Sequence, residues 1–541
     1  MKLKTKIQNT LRPLYGPFRF LYSKPLAFYL NYKDEKLNSV QKQFLEKLSF
    51  YKSDTKGDNG VLLVQMVEGY EYAVKLAVAA KALAKKNNLQ VFLYNPSWFV
   101  WIGWGKIRSK LSRYLIKSKS EKIYRAFGNS VVFEAEDKYQ DQAFIKAKLQ
   151  EITRDVISVE AVLFIKFEDV LVGDLIYDTY LRYFHKPTIE KIDADVIKII
   201  EIALNLYYNF KLFIKSNNIK ALLNTYSSYI HHGITARICL NSNIEVYTLG
   251  SYSYIIQKIS KEFPYHQINH TLFSPDKVLS QQQLEEAKKI FTSRFEGKID
   301  AATSYMKQSA FSDKPLNPAI KELFSQKQRN IVIYVHDFYD SPHIYRVLQF
   351  SDLYQFLKKT LEELIALENA SVFIKIHPNG IEGCKEKTIE LVHSFNTTHF
   401  HILDETVSNL HILELKPDLI VTAMGTVGME MAYFEIPTVA LHDNIYTNFN
   451  FVHTCHNKEE FFSIIKGQTK PVVNFTKEKI YSFYYQAYLE KIADKKTHIL
   501  NLLHSSQYPA NTDNYLQFVL ANSKELFNND FVELYGNALN G

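Results

Sequence analysis

Apolar residues along this chain fall in short runs, separated by longer stretches in which they recur at helical spacing. The first series of runs is VLLVQM (61–66), VFLY (91–94), VVF (131–133), AVLFIKF (161–167), ALLN (221–224) and VYTL (246–249). Amphipathic stretches over about 70–86, 140–153, 190–215 and 229–240 lie between them. This strand–helix–strand rhythm predicts parallel pairing, because parallel strands need a crossover and the crossover helices cover the sheet. A second series begins at 330: NIVIYVH (330–336), SVFIKI (371–376), HFHIL (399–403), LIVTA (419–423) and PTVAL (437–441). Helical patterns near 351–368, 384–396, 407–414 and 427–434 separate these runs. Each series reads as an α/β Rossmann-like domain.

The length of 541 residues agrees, since one hydrophobic core seldom organises so long a chain. The expected divisions are a basic segment over 1–50, a first Rossmann-like domain over 51–275, a helical connection over 276–325, a second Rossmann-like domain over 326–475, and C-terminal helices over 476–541. At 46% hydrophobic and 23% charged residues the composition is that of an ordinary globular protein. No run of about 20 apolar residues offers a transmembrane helix, and the N-terminus lacks the apolar core of a secretory signal. Cys239, Cys384 and Cys455 are widely spaced, which argues against a disulfide framework or zinc knuckle and for a reducing compartment. A cytoplasmic protein is expected.

Charge adds a surface to this picture. Residues 1–33 carry Lys2, Lys4, Lys6, Arg12, Arg19, Lys24 and Lys33 before the first acid, Asp34. A second basic run, Lys106 to Lys119, directly follows Trp98, Trp101 and Trp104. Tryptophan beside Lys and Arg suits the headgroup layer of an anionic membrane. Nucleic acid would attract the same cations, but no nucleic-acid-binding motif accompanies them, so none is expected as a partner.

Ligands of open parallel sheets sit at the carboxyl ends of the strands. After 371–376 comes His377-Pro378-Asn379-Gly380, where a strand-end imidazole can donate to a phosphate and proline stiffens the turn. Lys375 belongs to the same loop, although its alternation with Ile374 and Ile376 directs it toward solvent. After 419–423 comes Met424-Gly425-Thr426, where Gly425 allows close approach of backbone and Thr426 suits an N-cap; helix-start amides there would face an anion. Glu430, one turn on, is a candidate for ribose hydroxyls. The loop Asp337-Phe338-Tyr339-Asp340-Ser341-Pro342-His343 ends the first strand of this domain, and its acids could meet an acceptor hydroxyl. These three loops share one sheet edge, so they predict a site for a phosphorylated nucleotide. Neither a G-x-G-x-x-G fingerprint nor a Walker loop is present.

With these motifs in place the chain resembles the GT-B glycosyltransferases. IYVHDFYDSPH, FIKIHPNG and TAMGTVGMEMAYFEIPTVAL, together with VGDLIYDTYLR (172–182) and YSSYIHHGITARICL (226–240), resemble the bacterial capsule and lipopolysaccharide transferases. The resemblance implies two Rossmann-like domains facing a central cleft. It also implies a nucleotide-sugar donor and a lipid-linked or oligosaccharide acceptor at the inner face of the bacterial inner membrane. In the CMP-sugar users of that group, the Kdo and sialic acid transferases, a His-Pro motif and a Ser/Thr helix start grip the nucleotide phosphate; His377 and Thr426 match them. Gly425-Thr426 departs from the usual Ser-Ser or Ser-Thr pair. UDP-sugar 2-epimerases share the architecture, as would a non-catalytic GT-B-like subunit.

An inverting transferase needs a base for the acceptor proton. Asp174 and Asp178, four apart on one helix face with Arg182 as their expected partner, are candidates, as are His231, His232 and Asp340, with Glu68 a weaker one. Asp193 and Asp195 sit at a helix start and read as caps rather than metal ligands. No metal and no cofactor beyond the nucleotide-sugar substrate is expected, the leaving phosphate being stabilised by His377 and helix amides.

Overall fold

The computed structural model describes residues 38–52, 57–67, 70–95, 121–134, 138–249, 256–267, 270–303, 309–311, 316–326, 329–345, 349–441, 443–490 and 513–538. The basic segment over 1–33, the three tryptophans with their basic run, and Glu68 lie outside the described residues.

The first domain contains β1 (Val61–Gln65), β2 (Gln90–Asn95), β3 (Val131–Glu134), β4 (Lys166–Phe167), β5 (Val170–Leu171), β6 (Ile219–Asn224), β7 (Glu245–Leu249) and β8 (Ile256–Ile259). Its main sheet has the order β3-β2-β1-β6-β7-β8, parallel except for β8, which pairs antiparallel with β7 at the edge. The helices are α1 (Ser39–Leu48), α2 (Tyr70–Asn87), α3 (Gln142–Asp155), α4 (Gly173–Phe184), α5 (Ala194–Lys215) and α6 (Tyr229–Asn241). Side chains alternate along β1, so Leu62 and Val64 pack under α2 while Leu63 packs under α4, α5 and α6. The run at 161–167 is not a strand of this sheet. It forms a 3-10 turn over Glu160–Phe164 and a two-stranded hairpin of β4 with β5. Its apolar residues Val162, Ile165 and Phe167 are buried with α4 and α5, which explains a run with no sheet to complete.

The second domain contains β9 (Arg329–Tyr334), β10 (Ala370–Lys375), β11 (Phe400–Leu403), β12 (Leu419–Thr422), β13 (Thr438–Ala440) and β14 (His453–Thr454), in the all-parallel order β11-β10-β9-β12-β13-β14. The last strand, two residues long, is too short to show an apolar run in the sequence. Its helices are α7 (Gln281–Ser293), α8 (Pro318–Gln326), α9 (Leu353–Leu364), α10 (Cys384–Ser394), α11 (Asn409–Leu415), α12 (Val427–Tyr433), α13 (Lys458–Ile465) and α14 (Lys477–Tyr484). Although α7 precedes the sheet, Ala287 and Phe291 on it pack with Met429 of α12 and Phe483 of α14.

The chain then returns to the first domain. α15 (Asp513–Ala521) and α16 (Asn529–Ala538) bury Tyr515, Leu516, Val519, Phe531, Val532 and Tyr535 in the same core as Phe44, Leu48 and the alanine face of α2. Among the described residues, no helix is long and apolar enough to cross a membrane.

Candidate active site

Counted within its own six-stranded sheet, each domain has the order 3-2-1-4-5-6, so the winding direction reverses between β1 and β6 and between β9 and β12. A crevice opens outside the strand ends at such a reversal. Here the two crevices line a single cleft of about 660 Å³ between the domains.

On the second-domain wall, His336 follows β9, and its Nε2 lies 2.9 Å from Thr422 Oγ1 and 3.3 Å from the Met424 amide, tying the ends of β9 and β12 together. Asp337 accepts the Tyr339 N–H at 2.8 Å and the Ile381 N–H, so it also fixes the His-Pro loop. Burial raises its carboxyl above the ordinary value. In that loop the Asn379 N–H donates to His377 Nδ1 at 3.2 Å. Burial, reinforced by the Lys375 charge, lowers His377 to about 4. The ring is therefore neutral near pH 7, with Nδ1 as acceptor and its proton on Nε2. Pro378 and Asn379 line the cleft beside it.

Lys375 does not point to solvent. It is 3% exposed, and its ammonium donates to the carbonyls of Asp404 at 3.0 Å and Glu405 at 3.1 Å. Every side chain of β10 is buried because helices cover both faces of the sheet, so alternation separates two interiors rather than inside from outside. Desolvation lowers Lys375 to about 8. Gly425 stands at φ +107, where a Cβ would come within 3.2 Å of His336 Cε1. Glycine thus makes the turn and leaves Thr426 already helical, with no capping bond from its side chain. Thr426 therefore holds the expected N-cap position without the side-chain bond, and it lines the cleft.

Glu430 is buried at the cleft floor, where its carboxylate accepts from Arg294 Nη1 at 2.6 Å and from Asn409 Nδ2 at 3.3 Å. Arg294 also donates to Asp300 at 2.6 and 3.0 Å, and Tyr484 donates to the same carboxylate at 2.8 Å. Burial works against the Arg294 charge, but Asp300 and Glu430 outweigh it and hold the guanidinium protonated. Arg294 and Asp300 escaped sequence reading, since they lie in a segment that looked like a connection.

The first-domain wall carries Tyr72, Arg182, Tyr183, Tyr226, Tyr229 and His232, with Ser228 and His266. His232 Nδ1 sits 2.7 Å from Gln65 Nε2 and 2.9 Å from Gln65 Oε1, and burial holds its pKa well below the usual value. Gln65, the polar residue closing an otherwise apolar β1, was the available signal for this pairing. Asp340 reaches the cleft from the second domain with its side chain 65% exposed. Its Oδ1 accepts from Tyr229 at 3.2 Å and lies 3.9 Å from Arg182.

Asp174, Asp178 and His231 do not line this cleft. Asp174 forms a two-pronged ion pair with Arg237, both bonds 2.6 Å. Asp178 Oδ1 lies 2.5 Å from His343 Nδ1, while His343 Nε2 faces the Ser351 carbonyl at 3.0 Å. Burial opposes the His343 charge, but Asp178 raises the ring's pKa overall. Arg182, expected to serve both acids, instead approaches Asp340. His231 is buried, lowered by desolvation to about 3, and lies 3.3 Å from Tyr183 OH. The Asp178–His343 pair and the Tyr177–Asp352 bond of 2.7 Å join the two domains beside the cleft. Asp193 is an N-cap as read, accepting from Asp195 and Val196.

No protein-family model matches the chain, and no curated protein does. Solved structures resemble it. The S. aureus MnaA–UDP complex is 13% identical over 82% of this chain and 97% of its own, with a TM-score of 0.26. The Thermosulfurimonas dismutans KpsC, a beta Kdo 2,4 transferase, is 11% identical over 53% and 88%, with a TM-score of 0.31. A glycosyltransferase from Rickettsia africae is 11% identical over 87% and 100%, with a TM-score of 0.24. The strand order of the two sheets itself defines the architecture: α/β, with two Rossmann-like domains facing one cleft, as in a GT-B fold.

Proposed function

We propose that the protein is a glycosyltransferase that moves a sugar from a nucleotide-sugar to a lipid-linked or growing oligosaccharide acceptor of a bacterial surface polysaccharide. The observation that carries this reading is the Asn379 N–H to His377 Nδ1 bond, which leaves a neutral imidazole with an Nε2–H donor on the cleft wall. Such a donor suits a phosphate oxygen that gains charge as the sugar departs. The acceptor lies against the tyrosine- and histidine-rich first-domain wall. Of the candidate bases, Asp340 best combines exposure with a place in the cleft. It takes the acceptor proton as the acceptor oxygen bonds to the anomeric carbon and the bond from that carbon to the donor phosphate breaks, with inversion. Asp337 is held by two amides and Glu430 by Arg294, so the reading routes no step through a metal. CMP-sugar is the favoured donor class.

A thermal-shift panel of CMP, UDP, GDP and CDP tests the site. One nucleotide raises the melting temperature of the wild type, and less so that of His377→Ala; no shift at millimolar nucleotide removes the reading. Incubating a nucleotide-sugar without acceptor separates the alternatives, since an epimerase converts the sugar with no acceptor present. Peripheral attachment to an anionic inner membrane through residues 1–33 and Trp98, Trp101 and Trp104 belongs to the same proposal. Replacing the three tryptophans by alanine is expected to abolish flotation with anionic liposomes, and unchanged flotation would discard the attachment.

A further inference from the structure

At the outer edge of the second sheet, away from the cleft, β14 runs into α13 through Asn457, whose side chain accepts the Glu460 N–H at 2.8 Å. Side chains two apart in extended backbone share a side, which sets His453 and Cys455 together. The cap brings Glu460, in the first turn of α13, against both. One ligand atom from each of His453, Cys455 and Glu460 lies within 4.8 Å of the other two. His453 Nε2 is 3.1 Å from Glu460 Oε1, and the other carboxylate oxygen accepts the His456 N–H at 2.9 Å. The Cys455 side chain is fully buried, with no hydrogen bond to its sulfur among the described residues. None of the three lines the cleft.

Imidazole, thiolate and carboxylate are the donor types that zinc(II) accepts, and a four-coordinate ion takes three protein ligands plus water. We propose that His453, Cys455 and Glu460 form a zinc(II) site with water in the fourth position. As the zinc–sulfur bond forms, the thiol proton leaves to solvent. His453 binds through Nε2, so its proton shifts to Nδ1, which lies 3.4 Å from the Val472 carbonyl. A histidine ligand commonly makes such a bond through its other nitrogen. Without zinc the same Nδ1 accepts the Val472 N–H at 3.0 Å, so the segment at 472 follows the ring in either state. Net release of one proton per zinc makes affinity fall with acidity. The ion would pin the last, two-residue strand of the sheet to α13 and to the segment at 472, securing an edge otherwise open to pairing.

The test uses full-length protein stripped with chelator and then given cobalt(II) alone. The wild type is expected to show a sulfur-to-cobalt charge-transfer band that zinc(II) abolishes by competition, and Cys455→Ser to lose the band. Cys239 and Cys384 are buried elsewhere and remain in that variant. Zinc raises the melting temperature of the wild type but not that of Cys455→Ser. Should Cys455→Ser not fold, Glu460→Gln, at a part-exposed position, is expected to weaken cobalt binding while the fold is kept. No band in the wild type, a band that survives Cys455→Ser, or unchanged cobalt affinity in Glu460→Gln would overturn the site. None of these outcomes depends on the cleft reading.

Discussion

An imidazole of ordinary pKa is half protonated near pH 6.5, whereas burial and the Lys375 charge bring His377 down to about 4. Its contribution to ligand binding is therefore a hydrogen bond rather than a charge across the physiological range. Three more rings, His231 and His266 at about 3 and His232 well below its usual value, are also kept neutral by desolvation. Each binds a proton more readily in the unfolded chain. Their stabilising effect is therefore complete above about pH 6.5 and is lost as pH falls toward 4 and 3. His343 works in the opposite sense: with its folded value raised, its contribution is complete below about pH 6.5 and fades as pH rises through that folded value. Four rings outweigh one. The urea midpoint should already drop between about pH 6.5 and 5, above the range where ordinary carboxylates titrate. A flat profile over that interval would contradict the neutral, buried state of these rings.

At the scale of an element, α4 shows why pattern and role can part company. The sequence supplied the right helix and the right acidic face, but a four-residue spacing suggested a nearby partner and a catalytic task. The true partners are 63 residues away for Asp174 and 165 for Asp178, a separation that no local pattern records. Replacing Asp174 by alanine leaves the Arg237 guanidinium buried without its counter-ion, so a loss of about 3–5 kcal/mol in urea unfolding is expected. The folded fraction should still bind nucleotide; unchanged stability would return Asp174 to the candidate bases. The strands β9 to β13 were legible because parallel strands covered on both faces read as continuous apolar runs. That double covering also buries Lys375, which alternation alone directs to solvent. His377, Gly425 and Thr426 could be found because they follow the carboxyl ends of β10 and β12, the strands on either side of β9. Arg294 and Asp300 could not, because α7 and its flank join the second domain only through tertiary packing.

For the whole molecule, the return of α15 and α16 to the first domain carries the largest energy. Six large apolar side chains on these helices are each no more than 4% exposed. At about 1.5–3 kcal/mol apiece, their burial is worth on the order of 10 kcal/mol, comparable with the whole stability of a domain. A chain ending at residue 490 should therefore lose its first domain. Limited proteolysis is expected to degrade the region before residue 260 while sparing the second domain, and equal protection of both would show that the returning helices are dispensable. The same return sets a clock during synthesis. The last strand of the first domain ends at Ile259, but the helix that covers α2 begins only at Asn529. At roughly 5–20 residues per second the ribosome needs about 15–50 s to span that gap. Throughout it the alanine face of α2 is open to water and to other nascent chains, so the first domain to be made is the last to be finished.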